Sequence, residues 1–331
     1  MSSSISQVFT RYCDAHRGVK KAQTLDHTGT AIALLKQFLS ETGRSSRMID
    51  FTVQDAEAWR SWMVQAEEWE ASTINSYLRS TAPVFRWASR GRNRMIEENA
   101  FQDIRYLPEQ HEVMEFTKME IQAMLEVAKP YWLALIVLGV GSGLARGELL
   151  NLTWRDLVCD EGLVWIRRKS YDPEPGGTLE WVPKRRGTEC RPVQLPLSAE
   201  AEAALEPLEF GRSGHNPYIF IPDARYADLR AKGLRVMPNC PVSNINRQFD
   251  ALLRKAKVPK TVRGTRRYIH TLRATYITKL TRLIGKVPGQ DFGPQDVQAA
   301  ARHSTWKTTS KYAALNTAAL AAIKGRSIVD D

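Results

Sequence analysis

From Thr24 to Gly43 the apolar residues Ile32, Leu35, Phe38 and Leu39 fall on one helical stripe, and a glycine stops it. The same period resumes after Thr52, which is placed to cap "VQDAEAWRSWMVQAEE", with Asp55 three residues on. A third pattern, "ASTINSYLRSTAPVFRWASRGRNRMIEENAF", predicts a helix over 71–101 with Ile74, Tyr77, Leu78, Phe85 and Ala88 on its buried side. Arg79, Arg86 and Arg90 recur on this helix at spacings of seven and four, so they share a face. No acidic residue falls between Ala71 and Ile96. Such a stripe either solubilises the helix or meets a polyanion. The first third of the chain therefore predicts an all-α domain.

The period breaks at "YLPEQHEVMEF", a proline-containing stretch of mixed polarity that predicts a hinge and divides the chain into 1–108 and 109–331. Beyond it, Thr117 and Glu120 have capping-box spacing ahead of another helix, and a buried helix begins at Trp132. Three strand-like pieces follow, "LVWIRR", "LEWVPK" and "RPVQLP", with "DPEPGG" as a turn between the first two. From Val242 onward the pattern is again mostly helical. The second domain thus reads as mixed α/β and mainly helical.

Composition narrows the function. The 331 residues are 43% hydrophobic and 25% charged, as in an ordinary globular protein. The N-terminal stretch lacks a signal-peptide pattern. The longest apolar run, Trp132–Val140, is too short to cross a bilayer, so a cytoplasmic protein without membrane contact is expected. Cys13, Cys159, Cys190 and Cys240 are scattered, which argues against both a metal site and a disulfide scaffold. Neither a phosphate-binding GxxxxGK[ST] loop nor GxGxxG is present, and no cofactor is expected.

The net charge of +11 is unevenly spread. Residues 1–110 hold 14 Lys and Arg against 13 Asp and Glu, whereas residues 111–331 hold 33 against 23. Arg254 to Lys286 holds 11 basic residues and no acidic one. A solvated surface usually mixes signs, so this span points to a polyanion, and nucleic acid is the leading candidate. Arg263, Arg266 and Arg267 within it, with Arg79, Arg86 and Arg90, are the candidate DNA contacts.

Four stretches carry candidate chemistry. In "HTLRATYITKL", His270 and Arg273 lie three apart on a predicted helix. "RHSTWKTTSKYAAL" places His303 nine residues before Tyr312, and "PKRRGTECRPVQLP" places Lys184 at the end of a strand. "GSGLARGELLNLTW" ends an apolar helix in a polar site. Taken singly, each has an ordinary structural reading.

As a set, in this order, they resemble the boxes of the tyrosine recombinase (phage-type integrase) family. "HTLRATYIT" is similar to its His-x-x-Arg box, "HSTWKTTSKY" to its histidine and nucleophilic tyrosine, and "PKRRGTECRPVQLP" to the strand–turn–strand carrying its lysine. "GSGLARGELLNLTWRDL" is similar to its first-arginine box. The resemblance covers nearly the whole chain. It implies a multidomain protein, an all-α, SAM-like core-binding domain followed by a mixed α/β catalytic domain, closing around duplex DNA. It also implies a homo-tetramer on two synapsed sites, with 316–331 as an exchange segment, serving a mobile element.

The implied reaction is site-specific transesterification. Tyr312 attacks a phosphodiester to give a 3′-phosphotyrosyl link, and Lys184 protonates the leaving 5′-oxygen. His270 handles the tyrosine proton, His303 bonds the phosphate and Arg273 clamps its non-bridging oxygens. Lys169, on the preceding strand-like piece, competes with Lys184 for the general-acid role.

Two departures stand out. Family sequences have Leu-Gly before the second histidine where this chain has Ala301-Arg302, and a local packing adjustment is expected there. The family's first arginine lies three residues before the glutamate. Counting back from Glu148 gives Ala145, with Arg146 next to it, about 100° further round a helix. The sequence therefore predicts a recombinase whose first clamp arginine is replaced and whose cleavage is slow. A shifted register using Arg146, a non-catalytic DNA-binding relative, and a type IB topoisomerase remain the alternatives.

Overall fold

The computed structural model describes residues 3–20, 22–109, 113–158, 163–183, 193–196 (backbone alone), 199–238, 240–286, 292–302 and 309–310. The chain forms two compact units, Met1–Gln110 and His111–Asp331. Among the described residues no helix is long and apolar enough to cross a membrane.

The first unit contains α1 (Ile5–His16), α2 (Ala22–Glu41), α3 (Val53–Gln65) and α4 (Ala71–Ser89). Thr52 caps α3 reciprocally: its hydroxyl accepts from Asp55 N at 3.3 Å, and Asp55 Oδ2 accepts from Thr52 N at 2.8 Å. The helical stripes converge on an aromatic centre in which Phe85 and Phe101 rings lie 4.8 Å apart, with Trp59 edge-on to Phe101. The sequence pattern carries α4 on to Phe101, but the helix stops at Ser89. Gly91 and Arg94 take positive φ (60° and 28°), which reverses the chain and lets Met95 N donate to Ala88 O at 2.8 Å. Ile96 and Phe101 then fold back as core residues instead of continuing the helix.

The second unit runs α5 (Lys118–Val127), α6 (Pro130–Ser142), α7 (Arg146–Leu150), β1 (Leu157–Val158), β2 (Leu163–Ile166) and β3 (Val193–Pro196). It continues with α8 (Ala199–Phe210), α9 (Asp223–Ala231), α10 (Ile245–Lys255), β4 (Thr261–Val262), β5 (Thr265–Arg266), α11 (His270–Thr281) and α12 (Pro294–Ala300). Strands β1, β2 and β3 make an antiparallel sheet in that order, with Val164 opposite Leu195. Helix α6 is apolar nearly all round because it packs against both α8 and α11.

The predicted middle strand, "LEWVPK", forms no sheet strand. Lys169 and Trp181 exchange a single pair of backbone bonds at 2.9 Å, Glu180 N donates to Arg235 O, and Leu179 N donates to the Tyr218 hydroxyl. Its backbone groups are thus satisfied by a loop and a side chain, and β2 pairs directly with β3.

The segments that flank β1 and β2 form a buried ion pair. Lys169 Nζ sits 2.8 Å from Asp156 Oδ2, and both side chains are almost wholly buried. Asp156 also accepts from Thr153 N and Oγ1 and from Arg167 Nε. Burial pushes the Asp156 carboxyl up, but Lys169 and Thr153 outweigh it and hold the carboxyl below its ordinary value. Removing one partner strands a buried charge. Lys169→Met is therefore expected to lower stability by about 3 kcal/mol, checked by urea unfolding. The stability that Asp156 contributes is complete above its unfolded pKa near 4 and is lost as pH falls through the lower folded value. In Asp156→Asn the difference in stability between pH 6 and pH 3 should narrow.

Candidate active site

The site forms where α6 ends against α11. Gly143 terminates α6 in the left-handed conformation, φ 62°, which glycine adopts freely. A Cβ at Gly143 would lie 2.2 Å from the Tyr276 ring, and one at Gly139 would lie 2.9 Å from Leu272. The two glycines let α6 approach α11 closely enough for the Gly143 carbonyl to reach the side chain of Arg273.

Arg273 is buried, and its guanidinium donates to Gly143 O and Ala301 O. Arg302, also buried, donates from Nη2 to the same Gly143 O at 3.2 Å and to Glu148 Oε2 at 2.7 Å. Two guanidinium groups therefore share one carbonyl acceptor. Burial pushes the Tyr276 hydroxyl up, while the charges of Arg302 and Arg273 pull it back. Arg302 has φ 53°, a conformation that costs a non-glycine residue about 1–2 kcal/mol. At Ala301-Arg302, where a packing adjustment was expected, the structure places a second buried cation beside Arg273. The sequence signal was a long basic side chain beside His303, at a place where the family has glycine.

Ala145 precedes α7, and its backbone N donates to Glu148 Oε2 at 2.7 Å. The carboxylate thus links the backbone at position 145 to the guanidinium of Arg302. Arg146 is the first residue of α7 and shares no hydrogen-bond partner with Arg273. His270 opens α11 and is exposed, its ring stacked on Tyr268 at 6.4 Å. His270 and Arg273 thus share a helix, with the histidine facing solvent and the arginine facing the core. Lys184, His303 and Tyr312, and the segment 316–331, lie outside the described residues. Lys169, the competing general acid, is engaged by Asp156 as described above.

The candidate DNA contacts divide into two groups. Arg267 is a correction: it is 2% exposed, bonds both Glu120 oxygens at 2.9 Å and lies 4.7 Å over the Phe116 ring. Its role is to tie α5 to the segment before α11, and it presents nothing to a phosphate. Arg266 is exposed but paired with Asp250, which also binds Lys260. Arg263 is exposed at the tip of the β4–β5 hairpin, where it and Gly264 both take positive φ. In the first unit, Arg79 is half exposed, paired with Glu109 and stacked on Tyr106. Arg90 has left the helix, with φ −112° and ψ 153°, because α4 ends before it. It still meets Arg86 in a cleft of about 370 Å³, which Lys20, Arg92 and Trp87 also line and no acidic residue enters. Among the described residues no cluster of His, Cys, Asp and Glu could hold a metal ion.

No family model matches the chain. A curated relative, "Tyrosine recombinase XerC-like" from Caldanaerobacter subterraneus subsp. tengcongensis, is 28% identical over 182 residues, covering 51% of this chain and 44% of the relative. The match thus spans less than half the length of that curated relative. The Tn1549 transposon integrase, solved in complex with a circular intermediate DNA, superposes with a TM-score of 0.69 at 20% identity, over 94% of this chain and 95% of that one. Lambda integrase, solved as a dimer bound to a COC′ core site, gives 0.64 at 15% identity, over 92% and 97%. The fold is that of the two-domain tyrosine recombinases. Over the shared segment the chain is similar to a tyrosine recombinase, and its fold is the one those enzymes have.

The two glycines at the end of α6 make a direct prediction. Gly143→Ala forces a methyl into the Tyr276 ring and strains a left-handed residue, so stability should fall by at least about 1–3 kcal/mol in thermal or urea unfolding.

Proposed function

We propose that the chain is a site-specific recombinase that cuts and rejoins duplex DNA through Tyr312. The observation that carries this reading is the meeting of two boxes 130 residues apart: Arg273 of the His-x-x-Arg box is bonded to Gly143 of the box that ends α6. A buried guanidinium at a helix junction, beside a second cation, is suited to hold the equatorial oxygens of a phosphodiester as negative charge grows on them.

In the proposed reaction the Tyr312 oxygen attacks the scissile phosphorus and gives up its proton to His270. The phosphorus–O5′ bond breaks as the tyrosyl–phosphorus bond forms, and Lys184 donates the proton that leaves a 5′-hydroxyl. His303 donates a hydrogen bond to the phosphate. Attack by a 5′-hydroxyl of the exchanged strand reverses each transfer, so the phosphodiester count is unchanged and no nucleotide need be consumed. Strand exchange requires two sites, which favours a homo-tetramer joined through 316–331. The DNA-bound forms of the Tn1549 and lambda integrases support duplex DNA as the substrate.

A second reading, a DNA-binding relative that has lost turnover, draws on Ala145. Loss of one oxyanion donor lowers rates by about 10²–10³, which slows the reaction without changing its kind. The two readings separate in a trapping experiment. The chain is incubated with a library of duplexes with randomised cores and strand nicks, and protein-linked DNA is recovered after denaturation. Adducts are expected from the chain as written and none from Tyr312→Phe, which should still bind DNA. Absence of adducts from the unaltered chain and from Ala145→Arg alike would favour the non-catalytic relative.

Binding should also be strongly salt-dependent. If roughly six to ten phosphates are contacted, affinity falls by about 10³–10⁵ between 50 and 200 mM salt. Arg263→Ala is expected to lower the slope by about 1, measured by fluorescence anisotropy, whereas Arg267→Met should reduce stability and leave the slope in place.

A further inference from the structure

We propose that Arg302 supplies the second phosphate-binding guanidinium of the site, in place of the arginine missing at position 145. The proposal rests on the recombinase reading above and deepens it by naming a catalytic residue that the family pattern does not contain.

Three observations converge on Arg302. Its guanidinium and that of Arg273 share the Gly143 carbonyl, so the two cations stand side by side. Its Nη1 is buried and has no hydrogen-bond partner among the described residues, although Nη2 is fully engaged with Gly143 O and Glu148. A buried donor left unmatched is costly and calls for a partner that arrives later. Finally, the Glu148 oxygen that holds Arg302 also accepts from the backbone N of Ala145, so the cation is anchored beside the vacated position.

The charge balance points to the chemistry of the missing partner. Arg273 and Arg302 bring two positive charges under cover, and Glu148 is bonded to Arg302, while Arg273 bonds the neutral carbonyls of Gly143 and Ala301. A phosphodiester with two non-bridging oxygens offers one negative charge and acceptors for both forks. Arg146, the neighbour of Ala145 in sequence, shares no acceptor with Arg273 and is not anchored by Glu148. Arg302 holds a left-handed backbone at φ 53°, a strained state that persists where the surroundings over-determine it.

The test uses the full chain, the duplex recovered by adduct trapping, and inorganic phosphate as an independent probe. Arg302→Gly suits the left-handed backbone and should fold with an unfolding midpoint near that of the unaltered chain. Its single-turnover cleavage is expected to drop by about 10²–10³ with little change in DNA affinity. Adding Ala145→Arg to Arg302→Gly should return most of the rate, since the cation then comes from the other side of Glu148. In the second arm, the rise in unfolding midpoint with phosphate, against chloride at equal ionic strength, should shrink in Arg302→Gly. Cleavage by Arg302→Gly at the unaltered rate overturns the proposal, as does loss of cleavage in Arg146→Ala instead. If no variant forms an adduct, the recombinase reading fails. The phosphate arm then decides Arg302 alone, and an unchanged phosphate response removes it from the site.

Discussion

One carbonyl oxygen, that of Gly143, organises the candidate site of the second unit. It accepts from two buried guanidinium groups brought by segments far away in the chain. A glycine at this position can hold the left-handed backbone that turns the carbonyl inward, and it leaves room for the Tyr276 ring. The close packing of α6 on α11, with Leu272 over Gly139, sets the distance over which Arg273 must reach. Arg267 fixes the other side of the same region by bonding Glu120 at the start of α5, and Phe116 N donates to Thr275 within α11. The position of Arg273 is thus set by packing on both sides.

Charge in the chain and charge on the surface are different quantities. Arg254 to Lys286 contains no acidic residue, yet its cations meet carboxylates from elsewhere: Arg266 and Lys260 on Asp250, Arg267 on Glu120, and Arg282 on Glu115. These contacts spend part of the positive charge on holding the fold. In the first unit the reverse holds. The nearly neutral composition of residues 1–110 conceals a cleft whose charged lining, Lys20, Arg86, Arg90 and Arg92, is of one sign.

The alanine at 145 and the arginine at 302 stand on either side of Glu148. Arginine at 302 carries a backbone penalty that glycine would avoid, and its buried Nη1 has no partner among the described residues. Neither feature helps the isolated protein fold. An anion bonding both guanidinium groups, as proposed above, would account for both.

Local rules were enough to read much of this protein from its sequence. The capping boxes at Thr52 and Thr117, the stripes of α2 and α4, the Asp172–Gly177 turn and the spacing of His270 and Arg273 depend on residues within a few positions of each other, and the structure contains all of them. The ordered boxes were legible for the same reason, and the resemblance to the tyrosine recombinases rests on them. The end of α4 was missed although Gly91 marks it locally. The other failures depended on distant partners: the unmade strand at "LEWVPK" and the burial of Arg267 are decided by which backbone group or carboxylate the fold brings near, and the sequence carries no local mark of that. Arg302 is the clearest case. Written in a line, it stands beside His303 and far from Ala145. Only the folded chain, by placing α6, α7 and the end of α12 around one carbonyl, makes it the neighbour of Arg273 and Glu148, because a guanidinium is assigned by the acceptors within its reach and not by its place in the chain.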